Sequence, residues 1–109
     1  MAYDDSLAAR VRDGLARERD IVEKKLFGGL GFLLNGNLLV CVWKDALIVR
    51  LGPEQAEVAM LEPHVRPFDV TGRPMKAWVM VDSDGVEDDD SLAVWIERAI
   101  GFVKSLPGK

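Results

Sequence analysis

Few residues in this chain have the side-chain types that catalysis requires. Cys41 and His64 could serve as a nucleophile and its base. Cys41 lies within an apolar run, where a thiol is usually an inert core residue, and His64 lies in a proline-rich stretch with no evident partner. One cysteine and one histidine also make a poor transition-metal site. We therefore predict no catalytic residues and no enzymatic activity.

A cluster of glycines, Gly28, Gly29 and Gly31, raises the question of a phosphate-binding loop. The spacing is not G-x-G-x-x-G, no G-K-[ST] follows, and apolar residues come next instead of a helix start. The pattern is typical of a bent strand where two backbones pack closely. We expect no cofactor here, and we interpret the edge at Gly28 and Gly29 as a candidate partner surface.

An acidic segment from Asp82 to Asp90 resembles a calcium loop only loosely. An EF-hand loop has glycine at its sixth position and glutamate at its twelfth. Counted from Asp82, Gly85 is fourth and Ala93 is twelfth. The acids instead favour the start of the following helix, where they cap amides and interact favourably with the helix dipole. We predict no metal site.

Four bases, Arg10, Arg17, Lys24 and Lys25, could form a nucleic-acid patch. Acids interleave with them, which is typical of a solvated face. The chain of 109 residues has a net charge of −4, and residues 82–109 hold seven acids against three bases. This balance disfavours contact with a phosphate backbone, so we regard direct DNA binding as less favoured than binding of a protein or a small ligand.

A second set of cations, Arg50, Arg73 and Lys76, interrupts or borders apolar strands. If those strands are neighbours, the cations gather on one sheet face and could bind an acidic partner or a small anion. The alternative is that they pair with Asp69 or Glu62, or reach solvent on their aliphatic stems. We retain all three as candidate partner-binding residues.

The elements that must position these residues follow from apolar periodicity. In the second of three predicted helices, Val58 and Leu61 are the expected buried residues, and Asn35-Gly36 predicts a hairpin turn. The helices are predicted at about 5–17, 53–62 and 91–105. The strands are predicted at Ile21–Phe27 with a bend before Leu30–Leu34, then Leu38–Trp43, Ala46–Leu51, Phe68–Val70 and Met75–Val81.

Strands joined by tight turns are antiparallel, and one sheet with helices packed on it makes a two-layer α+β domain. The length fits a single domain over residues 1–109. No apolar run approaches the roughly 20 residues that cross a bilayer, and the amino terminus lacks a signal-peptide pattern. We expect a cytoplasmic protein with no membrane contact.

The ordered combination of four short motifs resembles the TfoX N-terminal domain family, also called TfoX/Sxy-like proteins. The similarity runs from about Ala2 to Pro107. The motifs are Phe27-Gly28-Gly29, Asn35-Gly36, Arg50-x-Gly52-Pro53 and Gly72-Arg73-Pro74-Met75-Lys76. The resemblance implies a secretion-chaperone-like fold of order α-β(3)-α-β(2)-α with a single antiparallel sheet.

The resemblance also implies a kind of function. Named members of the family regulate natural competence together with a cyclic-AMP receptor protein, and they carry a second, C-terminal domain. The sequence ends soon after the last predicted helix, so we expect this chain to lack that domain. We predict a non-enzymatic interaction domain or regulatory adaptor that binds a protein partner. An uncovered sheet face with Trp and Leu side chains also favours a homodimer. The alternative is a small-ligand-binding protein or enzyme whose pocket the sequence does not show.

Overall fold

Three helices and one six-stranded antiparallel sheet form the fold of residues 3–26, 28–69 and 75–107, which the computed structural model describes. The sheet has the order β1-β2-β3-β4-β6-β5, and the predicted α+β class is confirmed. The helices are α1 (Asp5–Gly14), α2 (Pro53–Ala59) and α3 (Asp89–Val103). The strands are β1 (Ile21–Leu26), β2 (Gly29–Leu34), β3 (Asn37–Trp43), β4 (Ala46–Arg50), β5 (Val65–Pro67) and β6 (Trp78–Val81).

The first meander has four strands, where the prediction had three. Leu26 of β1 faces Gly29 of β2 across an antiparallel pair, so the chain reverses between them. Gly28 has φ +78°, which glycine adopts at little cost. Phe27 lies outside the described residues. The predicted bend is therefore a hairpin turn; glycine at positive φ suits both a bulge and a tight turn, and its presence alone does not distinguish them.

The next hairpin turn is the predicted one. Asn35 and Gly36 have φ of 54° and 83°, as a two-residue turn between β2 and β3 requires. Within this pair the register shifts after Phe32, which faces Val40, while Leu33 faces Leu38. Leu39 is the additional residue of a β-bulge. It joins the same buried cluster as Val40, although neighbours in a regular strand point to opposite faces of the sheet.

Both long helices begin at acidic caps. Asp4 accepts hydrogen bonds from the amides of Ser6 and Leu7 at 2.8 and 3.1 Å. Asp88 accepts one from the amide of Ser91 at 3.1 Å. Hydrogen bonding by the side chain of Ser91, followed by that of its amide, lowers the pKa of the Asp88 carboxyl. The acidic segment thus caps α3, as predicted, after one 3-10 turn at Ser83–Val86.

The sheet has two unlike faces. The helix-side face packs against the buried residues of α1, α2 and α3 and forms the larger core cluster. The second face carries a smaller buried cluster to which none of the three helices contributes a residue: Cys41, Ala46, Ile48, Phe68 and Met80. In the described part of the chain, Phe68 is the one member of this cluster from outside the strands. Two half-buried residues, Trp43 and Trp78, pack against the cluster.

The buried side of α2 is not the predicted one. Ala56 and Ala59 are buried, whereas Val58 is 56% exposed and Leu61 is 88% exposed. The helix ends at Ala59, so its periodicity does not extend to Leu61. The two small alanines let the helix lie close to the sheet, as tight packing requires, and the larger side chains face outward.

The strand predicted at Phe68–Val70 is also wrong in position. The observed strand, β5, ends at Pro67 and pairs within the described ranges only with β6, so it is an edge strand there, where proline is tolerated. Phe68 follows it and is buried on the second face, in edge-to-face contact with Trp78 at 6.1 Å between ring centroids. Val70 lies outside the described residues.

Candidate functional site

The candidate cations lie where β4 and β6 meet. Arg50 is the last residue of β4 and is the cross-strand partner of Trp78, the first residue of β6. Lys76 is exposed in the turn just before β6. Arg73 lies outside the described residues. The two strands are thus neighbours, which is the arrangement that the prediction of a shared cationic face required.

Arg50 is half-buried between aromatic rings. Its guanidinium carbon lies 5.1 Å from the centroid of the Trp78 ring and 5.9 Å from that of Phe102, both within cation–π range. Nη1 donates to the carbonyl oxygen of Leu38 at 3.4 Å, longer than an ordinary N–H···O bond. Nε is buried and has no hydrogen-bond partner among the described residues. This burial lowers the pKa of Arg50.

Four other arginines in the described part of the chain have carboxylate partners, whereas the exposed Arg17 and Arg19 have none there. Glu62, one of the acids considered as a partner for Arg50, instead binds Arg98 at 3.0 Å. Arg50 itself makes no ion pair with a described residue. The remaining arginine pairs are Arg10–Asp89 at 3.0 Å, Arg12–Glu23 at 2.6 Å and Arg66–Asp82 at 2.6 Å.

A groove of about 460 Å³ opens to solvent beside this arginine, and we call it the α2 groove. Its walls are mostly apolar, with one cation and one anion. Trp78 both lines the groove and stacks near Arg50, so the two sites are contiguous. The lining residues are Pro53, Ala56, Glu57, Met60, Pro67, Met75, Lys76 and Trp78.

Exposed apolar side chains concentrate around the α2 groove. Of the six large hydrophobic residues exposed in the described part of the chain, four belong to this region: Val58, Met60, Leu61 and Met75. Sequence reasoning missed this surface. The signal that could have shown it was the Ala56/Ala59 spacing between Pro53 and Pro63, which marks a short helix with a small inner side.

Gly28 and Gly29 have structural roles that do not involve the α2 groove. Gly28 forms the β1–β2 turn and is exposed. Gly29 is buried, and a Cβ there would overlap the carbonyl oxygen of Val42 on β3. Neither glycine lines the α2 groove. The close approach of two backbones that the glycine cluster predicted is present at Gly29.

The candidate nucleophile and base are not brought together. Cys41 is fully buried on the second face, and burial raises the pKa of its thiol to about 12. His64 is exposed before β5, and its backbone oxygen accepts a hydrogen bond from the amide of Asp82. Over the described ranges, no group of three or more His, Cys, Asp or Glu side chains is placed to hold a metal ion. No helix in those ranges is long and apolar enough to span a membrane.

Comparison with known protein families gives one match. Residues 13–103 match the TfoX N-terminal domain, a range that includes all six strands, α2 and α3. No curated protein matched the chain, and no solved structure matched it.

Proposed function

The chain belongs to the TfoX N-terminal domain family, and on that premise we propose that it is a non-enzymatic regulatory adaptor that binds a protein partner in the bacterial cytoplasm. Family membership indicates a regulatory domain related to competence. The adaptor role and the surface that performs it are the parts we add. Burial of Cys41 away from His64 supports a role without catalysis.

The observation that carries the proposal is the outward apolar surface of α2. Leu61 is 88% exposed and lies next in sequence to Met60, which lines the α2 groove. Contiguous apolar surface with a polar rim is typical of a protein-interaction site. Methionines such as Met60 and Met75 adapt their shape to a partner, which suits recognition of a protein segment.

Charge indicates the chemistry of the partner. Lys76 lies in the groove wall and Arg50 lies just beyond Trp78; neither has an ion pair within the described ranges. The fitting occupant is a segment that places apolar side chains in the groove and acidic side chains over these cations. Opposite charges facing each other across an interface favour the correct partner and register.

An affinity experiment with matched variants tests the proposal. Leu61→Asp places a charge in the apolar surface beside the groove, whereas Val94→Asp does the same at a 51% exposed position on α3. We expect wild type and Val94→Asp to enrich the same protein from host lysate, and Leu61→Asp to lose at least about ten-fold of it. Unchanged melting temperatures would show that both variants fold.

Two results would contradict the proposal of an adaptor that binds its partner through the α2 surface. One is equal enrichment of the partner by wild type and Leu61→Asp, which would show that the partner does not bind through the α2 surface. The other is recovery of the chain itself as the sole species that depends on Leu61, which would favour a homodimer instead. Sedimentation of the purified chain distinguishes that second case directly.

A further inference from the structure

We infer that Arg50 is a carboxylate-binding residue that binds an acidic side chain of the segment seated in the α2 groove. The inference rests on the proposed function and adds the chemical class that the partner presents. It concerns the guanidinium between Trp78 and Phe102, for which the fold supplies no acidic partner among the described residues.

The first argument is the cost of an uncompensated charge. Moving a guanidinium out of water is unfavourable unless hydrogen bonds or an opposite charge replace the lost solvent. Among the described residues, Nε is buried without a partner, and Nη1 has one long bond to Leu38. A buried N–H without a hydrogen-bond partner costs the isolated domain free energy, and a carboxylate beside the guanidinium would compensate its charge.

The second argument is geometry. The Trp78 and Phe102 rings both lie within cation–π distance of the guanidinium carbon. Nη2 makes no hydrogen bond with the described residues and, unlike Nε, is not a buried atom. A ligand can therefore approach the outer end of the fork, through Nη1 and Nη2. A carboxylate matches that pair of donors with two parallel hydrogen bonds.

The third argument identifies the source of the carboxylate. Trp78 connects Arg50 to the α2 groove, whose wall carries one cation, Lys76, and one acid, Glu57. A segment with an apolar side chain in the groove can place a neighbouring acidic side chain on Arg50. A free small carboxylate has the same chemistry but would leave the adjoining apolar surface unused.

The test uses the ¹⁵N-labelled full chain and follows the indole N–H of Trp78 by NMR. The probes are sodium acetate, compared with sodium chloride at equal ionic strength, and a capped peptide of alternating Leu and Glu, compared with its Leu and Gln counterpart. We expect acetate to shift the indole signal saturably. We expect the Glu peptide to bind at least about ten-fold more tightly than the Gln peptide, as a charge-assisted hydrogen bond would give.

Variants of Arg50 separate charge from shape. In Arg50→Gln the acetate shift disappears and the Glu-to-Gln preference falls to about one. In Arg50→Lys the charge remains but the paired donors are lost, so the preference falls between those two values. In Arg50→Met, which keeps the packing volume and removes the charge, the melting temperature rises by about 4 °C without ligand.

The remaining outcomes overturn the inference. Arg50 is excluded as the binding group if acetate does not shift the Trp78 indole signal, or if acetate shifts it equally in wild type and Arg50→Gln. A lower melting temperature for Arg50→Met shows a structural role. Acetate binding without preference for the Glu peptide excludes a peptide source. If the two peptides bind equally tightly and both shift the amide signal of Met60, the inference about Arg50 is wrong. The proposed function would still stand, because the Leu61→Asp experiment measures loss of the partner independently of Arg50.

Discussion

Gly29 is a residue whose side chain cannot be enlarged without moving the sheet. A Cβ there would overlap the Val42 carbonyl oxygen on the neighbouring strand, and backbone cannot rotate away as a flexible side chain can. We expect Gly29→Ala to lower the free energy of unfolding by about 2 kcal/mol in a urea titration. Gly101→Ala is the control, because nothing lies near its Cβ within α3, and it should raise stability by about 0.5 to 1 kcal/mol. A neutral Gly29→Ala would contradict the close approach.

Cys41 gives a prediction at alkaline pH. Burial raises the pKa of its thiol from 9.0 to about 12, so the folded state holds the proton more tightly than the unfolded state. The resulting stabilisation is fully present below pH 9.0 and is lost as the pH rises toward about 12. Cys41→Ala should therefore lose less stability over that interval than wild type.

The measurement is the difference between two urea titration series, because other groups titrate in both proteins alike. Cys41→Ala is expected to start less stable at neutral pH, since it removes a buried sulfur. The difference in free energy of unfolding between wild type and Cys41→Ala should decrease as the pH rises. A constant gap would show that the thiol titrates normally and is not shielded from solvent.

At the scale of elements, α2 depends on its two small residues. Ala59 is fully buried against the sheet, so Ala59→Leu should force the helix outward and cost about 2 kcal/mol. Leu61→Gln changes an 88% exposed side chain and should alter stability by less than about 0.5 kcal/mol. Chemical unfolding checks both. A larger loss of stability in Leu61→Gln than in Ala59→Leu would support the sequence prediction that Leu61 lies in the core.

Local interactions explain which elements the sequence predicted well. The Asn35-Gly36 turn and the acidic cap of α3 at Asp88 depend on residues within three positions of each other, so short-range chemistry determines them. Apolar periodicity did not predict which residues are buried at two places. At Leu39 a bulge turns the side chain to the other face of the sheet, and in α2 the helix ends before Leu61.

The candidate site was harder to predict because its contacts are distant in sequence. Arg50 and Trp78 are paired through strands separated by α2 and β5, and only the assembled sheet makes them neighbours. Sequence reasoning did bring Arg50 and Lys76 forward as unusual cations. It offered Glu62 as a partner, however, and that acid is bound to Arg98 in the fold. The absence of a described acidic partner for Arg50 therefore emerges only from the three-dimensional arrangement.

At the scale of the whole molecule, the charge distribution opposes the chemistry of its proposed site. The net charge is −4, whereas the α2 groove and its border carry two cations, Lys76 and Arg50, and one acid, Glu57. An acidic segment is thus repelled at long range and attracted on contact. Long-range charge mainly affects the rate of association, and a desolvated contact mainly affects the rate of dissociation.

Salt should therefore speed the binding of an acidic peptide to this protein. From about 10 mM to about 150 mM salt the Debye length falls from about 30 Å to about 8 Å. The longer value is comparable with the 31 × 30 × 28 Å extents of the described chain, so at low salt the net charge acts as a whole. We expect the association rate of the Leu and Glu peptide, followed by stopped-flow tryptophan fluorescence, to rise over this range while its dissociation rate changes little. The neutral Gln peptide should show no such rise. An association rate that falls with salt would mean that the local cations, not the net charge, guide the encounter.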